Sequence, residues 1–108
     1  MNNRAVDLRS DNDKENNVYR YLDVSTGNIT QNDSELLANC KSVIVVNREY
    51  GHFVHVRELY DTKFTEMVNE GFSESFIKVI VKAMMLDCSW ILFDADAELH
   101  QDLDKYDW

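Results

Sequence analysis

Read for polar and apolar positions, the chain becomes regular at Val18. From Val18 through Tyr19, Arg20, Tyr21, Leu22 and Asp23 to Val24, β-favouring residues alternate with polar ones until Ser25-Thr26-Gly27-Asn28 interrupts them, which predicts a first strand over 18–24. Thr30 or Asn32 caps a short helix over 33–40. There Asp33 and Glu35 suit the positive end of the dipole, and Leu36, Leu37 and Cys40 form a narrow apolar stripe. The β-branched run in Ser42-Val43-Ile44-Val45-Val46-Asn47-Arg48 has the pattern of a strand covered on both faces, and so of a central strand. Arg48-Glu49-Tyr50-Gly51 turns the chain, with Gly51 accepting positive φ, and 52–57 returns as an antiparallel partner.

Two helices and a strand follow. Leu59, Phe64, Met67 and Val68 recur near the helical period, and Gly71 suits the C-terminal cap of a helix over 59–70. Ser73 caps a longer one ending near Asp87, with Phe76, Ile77, Val79, Ile80, Val81, Ala83 and Met84 on a wide apolar face and Lys78 and Lys82 on the other side. Trp90-Ile91-Leu92-Phe93 is the last strand. The order β-α-β-β-α-α-β predicts an α+β fold: a four-stranded, mostly antiparallel sheet with two to three helices on one face. Residues 1–17 hold only Val6 and Leu8 as aliphatics of size and predict a mobile N-terminal arm, leaving 18–108 as a single domain with an acidic C-terminal segment.

Composition agrees with one small domain. The chain has 108 residues, 44% of them hydrophobic, and no apolar run approaches the roughly 20 residues that span a bilayer. Its start lacks the basic-then-apolar layout of a secretory signal, so a cytoplasmic location is expected. Cys40 and Cys88 lie far apart with no CxxC, as expected of reduced thiols acting as small hydrophobes. Most of the aromatics among Tyr19, Tyr21, Tyr50, Phe53, Tyr60 and Trp90 are expected in the core.

Charge changes the picture more. The formal net charge is −9, which disfavours direct binding to nucleic acid or to an anionic membrane. Residues 94–108 alone carry −5, from Asp94, Asp96, Glu98, Asp102, Asp104 and Asp107 against Lys105. Such a segment is either a solubilising tail or an anionic surface aimed at a basic partner. Tyr106 and Trp108 within it either fold back over the sheet or form an exposed aromatic-acidic anchor.

Catalytic signatures are sparse. Asp94, Asp96 and Glu98 alternate as in the first positions of a calcium loop, but Leu99 and Lys105 stand where that loop wants Gly and Glu. The same carboxylates leaving a strand are the basis of a rival reading, a metal-dependent hydrolase using Asp94 and Asp96. His52 and His55, three apart on a strand, point to opposite faces and share no metal. His100 lies among acids, where pairing with Asp96 or Asp104 would raise its pKa. With glycine only at 27, 51 and 71, no phosphate loop, dinucleotide fingerprint or nucleophile elbow is present. No catalytic residue, cofactor or metal is assigned.

Four stretches carry a resemblance. Tyr21-Leu22-Asp23-Val24-Ser25-Thr26, Tyr50-Gly51-His52-Phe53-Val54-His55-Val56, Cys88-Ser89-Trp90-Ile91-Leu92-Phe93-Asp94-Ala95-Asp96 and Tyr106-Asp107-Trp108 resemble a family of small uncharacterised bacterial domains found on plasmids and prophages. Members tend to show Ala-His after the Ser-Thr, where this chain has Gly27-Asn28. The resemblance implies a setting on mobile DNA, where small acidic proteins often disarm host restriction or CRISPR complexes. The expected function is therefore a non-catalytic acidic protein, of the anti-CRISPR or anti-restriction type, that mimics nucleic acid and docks on the basic nucleic-acid-binding surface of a bacterial defence complex. Asp94, Asp96, Glu98, Asp102, Asp104, Asp107, Tyr106 and Trp108 are its expected contacts. A structural or oligomerising domain is a further alternative.

Overall fold

The computed structural model describes residues 17–108 except 58 and 60. The expected N-terminal arm, apart from Asn17, lies outside the described residues. Strands β1 (Tyr21–Ser25), β2 (Val45–Arg48), β3 (Gly51–His55) and β4 (Trp90–Asp94) combine with helices α1 (Gln31–Leu37), α2 (Asp61–Glu70) and α3 (Glu74–Met85), and a 3-10 turn spans Thr26–Asn28. The sheet order is β1-β4-β3-β2, with β1 parallel to β4 and the other neighbours antiparallel. The predicted α+β architecture and element order hold.

Residue pairing sorts the side chains into two faces. Leu22, Val24, Val45, Val54, Ile91 and Phe93 share one, and the helices cover it. Phe76 of α3 lies in a stack, 4.2 Å from Phe72 and 5.7 Å from Phe93, while Ser34 of α1 reaches His52 at 3.0 Å. Val24, Val54, Phe76, Val79, Ile80, Ile91 and Phe93 are fully buried, and each side chain of this size contributes roughly 1.5–3 kcal/mol on leaving water.

Asp33 joins the starts of two helices. Thr30 Oγ1 accepts from Asp33 N while Asp33 Oδ2 accepts from Thr30 N, both at 3.0 Å, completing a capping box. The same buried carboxylate accepts from Ser73 N at 2.8 Å and from Ser73 Oγ, which in turn accepts from Phe76 N and caps α3. Gly71, at φ 113°, ends α2 by donating to the Met67 and Val68 carbonyls.

Three expectations are corrected. The run over 42–48 supplies β2, an edge strand rather than a central one; Ile44 is 63% exposed and Val46 39%. β-Branched residues favour extended backbone at an edge as well as in the middle, so their continuity does not report two covered faces. Gly51 is not required for a positive φ. A Cβ there would stand 2.1 Å from the Phe93 carbonyl oxygen, so it is the approach of β4 that excludes a side chain. The third concerns the aromatics. Tyr21 is exposed, and Phe53 and Trp90 only half-buried, because no described helix covers the second sheet face; Tyr19 and Tyr50 are exposed outside the strands, and Tyr60 lies outside the described residues.

Candidate functional site

The acidic segment leaves β4 and wraps back across the fold. Its first turn is fixed by Asp94, whose Oδ1 accepts from Asp96 N at 2.9 Å, and by Ala95 N donating to the Tyr50 carbonyl at 3.1 Å. It then passes the 3-10 turn, where fully buried Asn28 accepts from His100 N and donates to the carbonyls of His100 and Asp104. Leu103 is buried beyond that point. Tyr106 donates its backbone N–H to the Gly27 carbonyl at 2.8 Å, and Trp108 Nε1 donates to the Ile29 carbonyl at 2.9 Å. Tyr106 and Trp108 thus fold back, yet half of Trp108 stays exposed.

This course divides the acids. Asp102 pairs with Lys82 at 2.5 Å, and the Lys82 ammonium bonded to it holds its pKa below the usual carboxylate range. Asp104 accepts from the Ser75 hydroxyl at 2.6 Å and pairs with Lys78 at 3.2 Å; these contacts lower its pKa in that order. Both therefore serve the chain's own surface, as exposed pairs of small energetic weight. Asp94, Asp96, Glu98 and Asp107 have no Lys or Arg partner among the described residues.

Asp94 gains a different neighbour, Asp23. Both stand on the sheet face that no described helix covers, Asp23 at the middle of β1 and Asp94 at the end of the parallel β4. The Asp23 pKa is raised, first by burial and then by the charge of Asp94 and a hydrogen bond to it, with His100 pulling the other way. His100 Nε2 lies 2.9 Å from the Asp23 carbonyl oxygen; Asp96 and Asp104, its expected partners, are not what it reaches. Asp23, Asp94, Asp96 and Glu98 make one acidic end.

From that end the same face continues as an aromatic ladder. Leu92 lies beside Asp23 in register, then Phe53 meets Trp90 edge-on at 5.1 Å, with Tyr21 5.7 Å from Phe53 and His55 4.8 Å from Trp90. Half of Tyr21 is exposed. An apolar centre with a charged margin is the anatomy of a protein-binding patch. Asp23, Tyr21, Phe53 and Trp90 were not among the contacts expected from the sequence. The signal was present: Tyr21, Phe53 and Trp90 each stand one step out of phase with a buried aliphatic of the same strand, Val24, Val54 and Ile91.

No group of three or more His, Cys, Asp or Glu residues converges as a metal site among the described residues. His52 and His55 do face opposite sides of the sheet; His52 is held by Ser34 and by Asn47 Oδ1 at 2.6 Å, and burial pushes its pKa down. Cys88 is buried, which raises its pKa, and Cys40 Sγ lies 3.8 Å from Glu70 Oε1. No described helix is long and apolar enough to cross a membrane. Comparison with curated proteins finds no match, and comparison with solved structures finds none. A family model does match, over residues 21–108, and by that match the chain belongs to DUF5983, a family of unknown function, through its C-terminal domain.

Proposed function

We propose that the domain is a non-catalytic binding module that places its acidic end and aromatic sheet face on a basic protein surface, one that otherwise holds nucleic acid. The observation that carries this reading is the acidic end itself: Asp23 and Asp94 lie together on the sheet face that carries Tyr21, Phe53 and Trp90, and Asp96 and Glu98 follow Asp94 in the chain, with no described Lys or Arg paired to them. Like charges this close cost free energy in the isolated domain, and a cationic partner removes that cost. Carboxylates projected from strand ends present anionic oxygens much as a phosphate backbone does, and they raise the association rate with a positive groove. Tyr21, Phe53 and Trp90 then supply the apolar contact that charge alone does not.

The finer reading is an inhibitor encoded on mobile DNA that acts in the bacterial cytoplasm on a restriction or CRISPR complex. It rests on the resemblance to plasmid and prophage domains and on the net charge of −9. Lysine at Asp94, Asp96 and Glu98 together tests it. Affinity for the partner falls by at least about tenfold and its salt dependence flattens, whereas Asp102→Lys, at a position already paired with Lys82, has a smaller effect. Unchanged affinity in the triple variant overturns the proposal.

A further inference from the structure

Against the chain's negative charge, one concavity gathers cations. It lies at the far end of β3 from the acidic surface, has a volume of about 360 Å³, and is walled by Val43, Ile44 and Leu59. Lys41, Arg57 and Lys63 line it, from the loop before β2, the segment after β3 and the first turn of α2. These are three separate elements, so the fold and not local sequence brings the charges together.

The neighbours are specific. Arg57 sits over the Tyr19 ring, 5.0 Å from its centroid, which restricts the guanidinium. Neither Lys41 nor Arg57 pairs with a carboxylate of a described residue. Lys63 reaches Glu66 at 3.2 Å across a surface pair. Glu70 stands behind Ser42, accepting from Lys41 N at 3.0 Å and from Ser42 N at 3.1 Å, and so fixes the loop that carries Lys41. Its side chain points against the preference for cations at the end of a helix, and the loop it holds accounts for that.

We infer that this pocket binds a small phosphate monoester with an apolar body, the phosphate against Lys41, Arg57 and Lys63 and the body against Val43, Ile44 and Leu59. Two ammonium groups and a guanidinium suit a dianion better than a carboxylate, and the guanidinium fork matches its oxygens in pairs. The volume lies at the lower end of small-molecule sites, which suits a single ring. In a chain at −9, three cations from separate elements lining one hollow stand against the prevailing charge. The site is independent of the acidic end and of the function proposed for it.

Phenyl phosphate is the probe, followed by amide NMR shifts of the intact chain, with inorganic phosphate and benzyl alcohol as comparators. Phenyl phosphate saturates with Kd below about 1 mM and shifts Lys41, Ser42, Ile44 and Lys63, while each comparator binds at least about fivefold more weakly. The Lys41→Ala/Lys63→Ala variant, whose fold is checked by its unperturbed core amides, loses at least about tenfold in affinity; Arg48→Ala stays within about twofold. Failure to saturate by about 10 mM, equal binding of inorganic phosphate, or undiminished binding by the double-lysine variant overturns the inference.

Discussion

Asn28 and His100 exchange two hydrogen bonds across 72 residues of chain: Asn28 Oδ1 accepts from His100 N at 2.9 Å, and Asn28 Nδ2 donates to the His100 carbonyl at 3.2 Å. The same amide nitrogen reaches the Asp104 carbonyl at 2.8 Å, so one buried side chain substitutes for a strand partner along the C-terminal segment. Asn28→Ala strands those backbone groups and costs about 2–3 kcal/mol by chemical denaturation. Amide exchange over 100–108 accelerates more than exchange in α3.

Gly51 meets the Phe93 carbonyl where β3 passes β4. Gly51→Ala sets a methyl group against backbone that has no rotamer to yield, and destabilises by about 2–3 kcal/mol in a urea titration. Gly27→Ala has its closest approach, 2.8 Å, to the end of the Leu99 side chain, which can move, while Ser25 Oγ and the Tyr106 carbonyl oxygen lie at 3.3 and 3.4 Å, and it costs less than Gly51→Ala.

Stability falls on acidification through His52. Its folded pKa is depressed by burial below the ordinary 6.5, so the unfolded chain takes up the proton first. The stabilisation is complete above pH 6.5 and is lost as pH drops through the folded pKa. Glu70 adds to this at lower pH. Burial opposes its ionisation, but the Ser42 hydroxyl, the Lys41 and Ser42 amides and the Cys40 thiol together keep its pKa below the ordinary 4.5. Urea midpoints decline from pH 7.5 to pH 5, and His52→Gln flattens that decline.

Asp23 has the opposite sign. Its raised pKa means that the folded state holds the proton more firmly, so its favourable contribution is complete below 3.8 and is lost as pH rises through the folded value. Asp94→Asn removes the neighbouring charge, brings the Asp23 pKa back toward 3.8 by carboxyl NMR titration and stabilises the domain at neutral pH by less than about 1 kcal/mol.

Local chemistry made most of the fold legible. Thr30 and Ser73 announced two helix starts, Gly71 a helix end, and the β-branched and aromatic runs all four strands. Strand order was not local information. The run over 42–48 lies at the edge because β4 inserts between β1 and β3, a long-range pairing that no residue in that run encodes. The acidic segment was visible as composition, but its division was not: Lys78 and Lys82 take Asp104 and Asp102, and only the return of the chain across α3 brings those partners within reach. Asp23 was hidden because its neighbour Asp94 is 71 positions away and meets it only through parallel pairing.

The central claim, that the acidic end replaces nucleic acid on a basic surface, is tested most directly by competition. The domain is immobilised in a bacterial lysate at about 0.1 M salt, and duplex DNA is added before elution at about 0.5 M. The account predicts retention of a nucleic-acid-binding protein that DNA displaces and salt releases, and that beads carrying Asp94→Lys, Asp96→Lys and Glu98→Lys fail to capture. Empty beads, or a partner that ignores both DNA and the charge reversal, contradicts it.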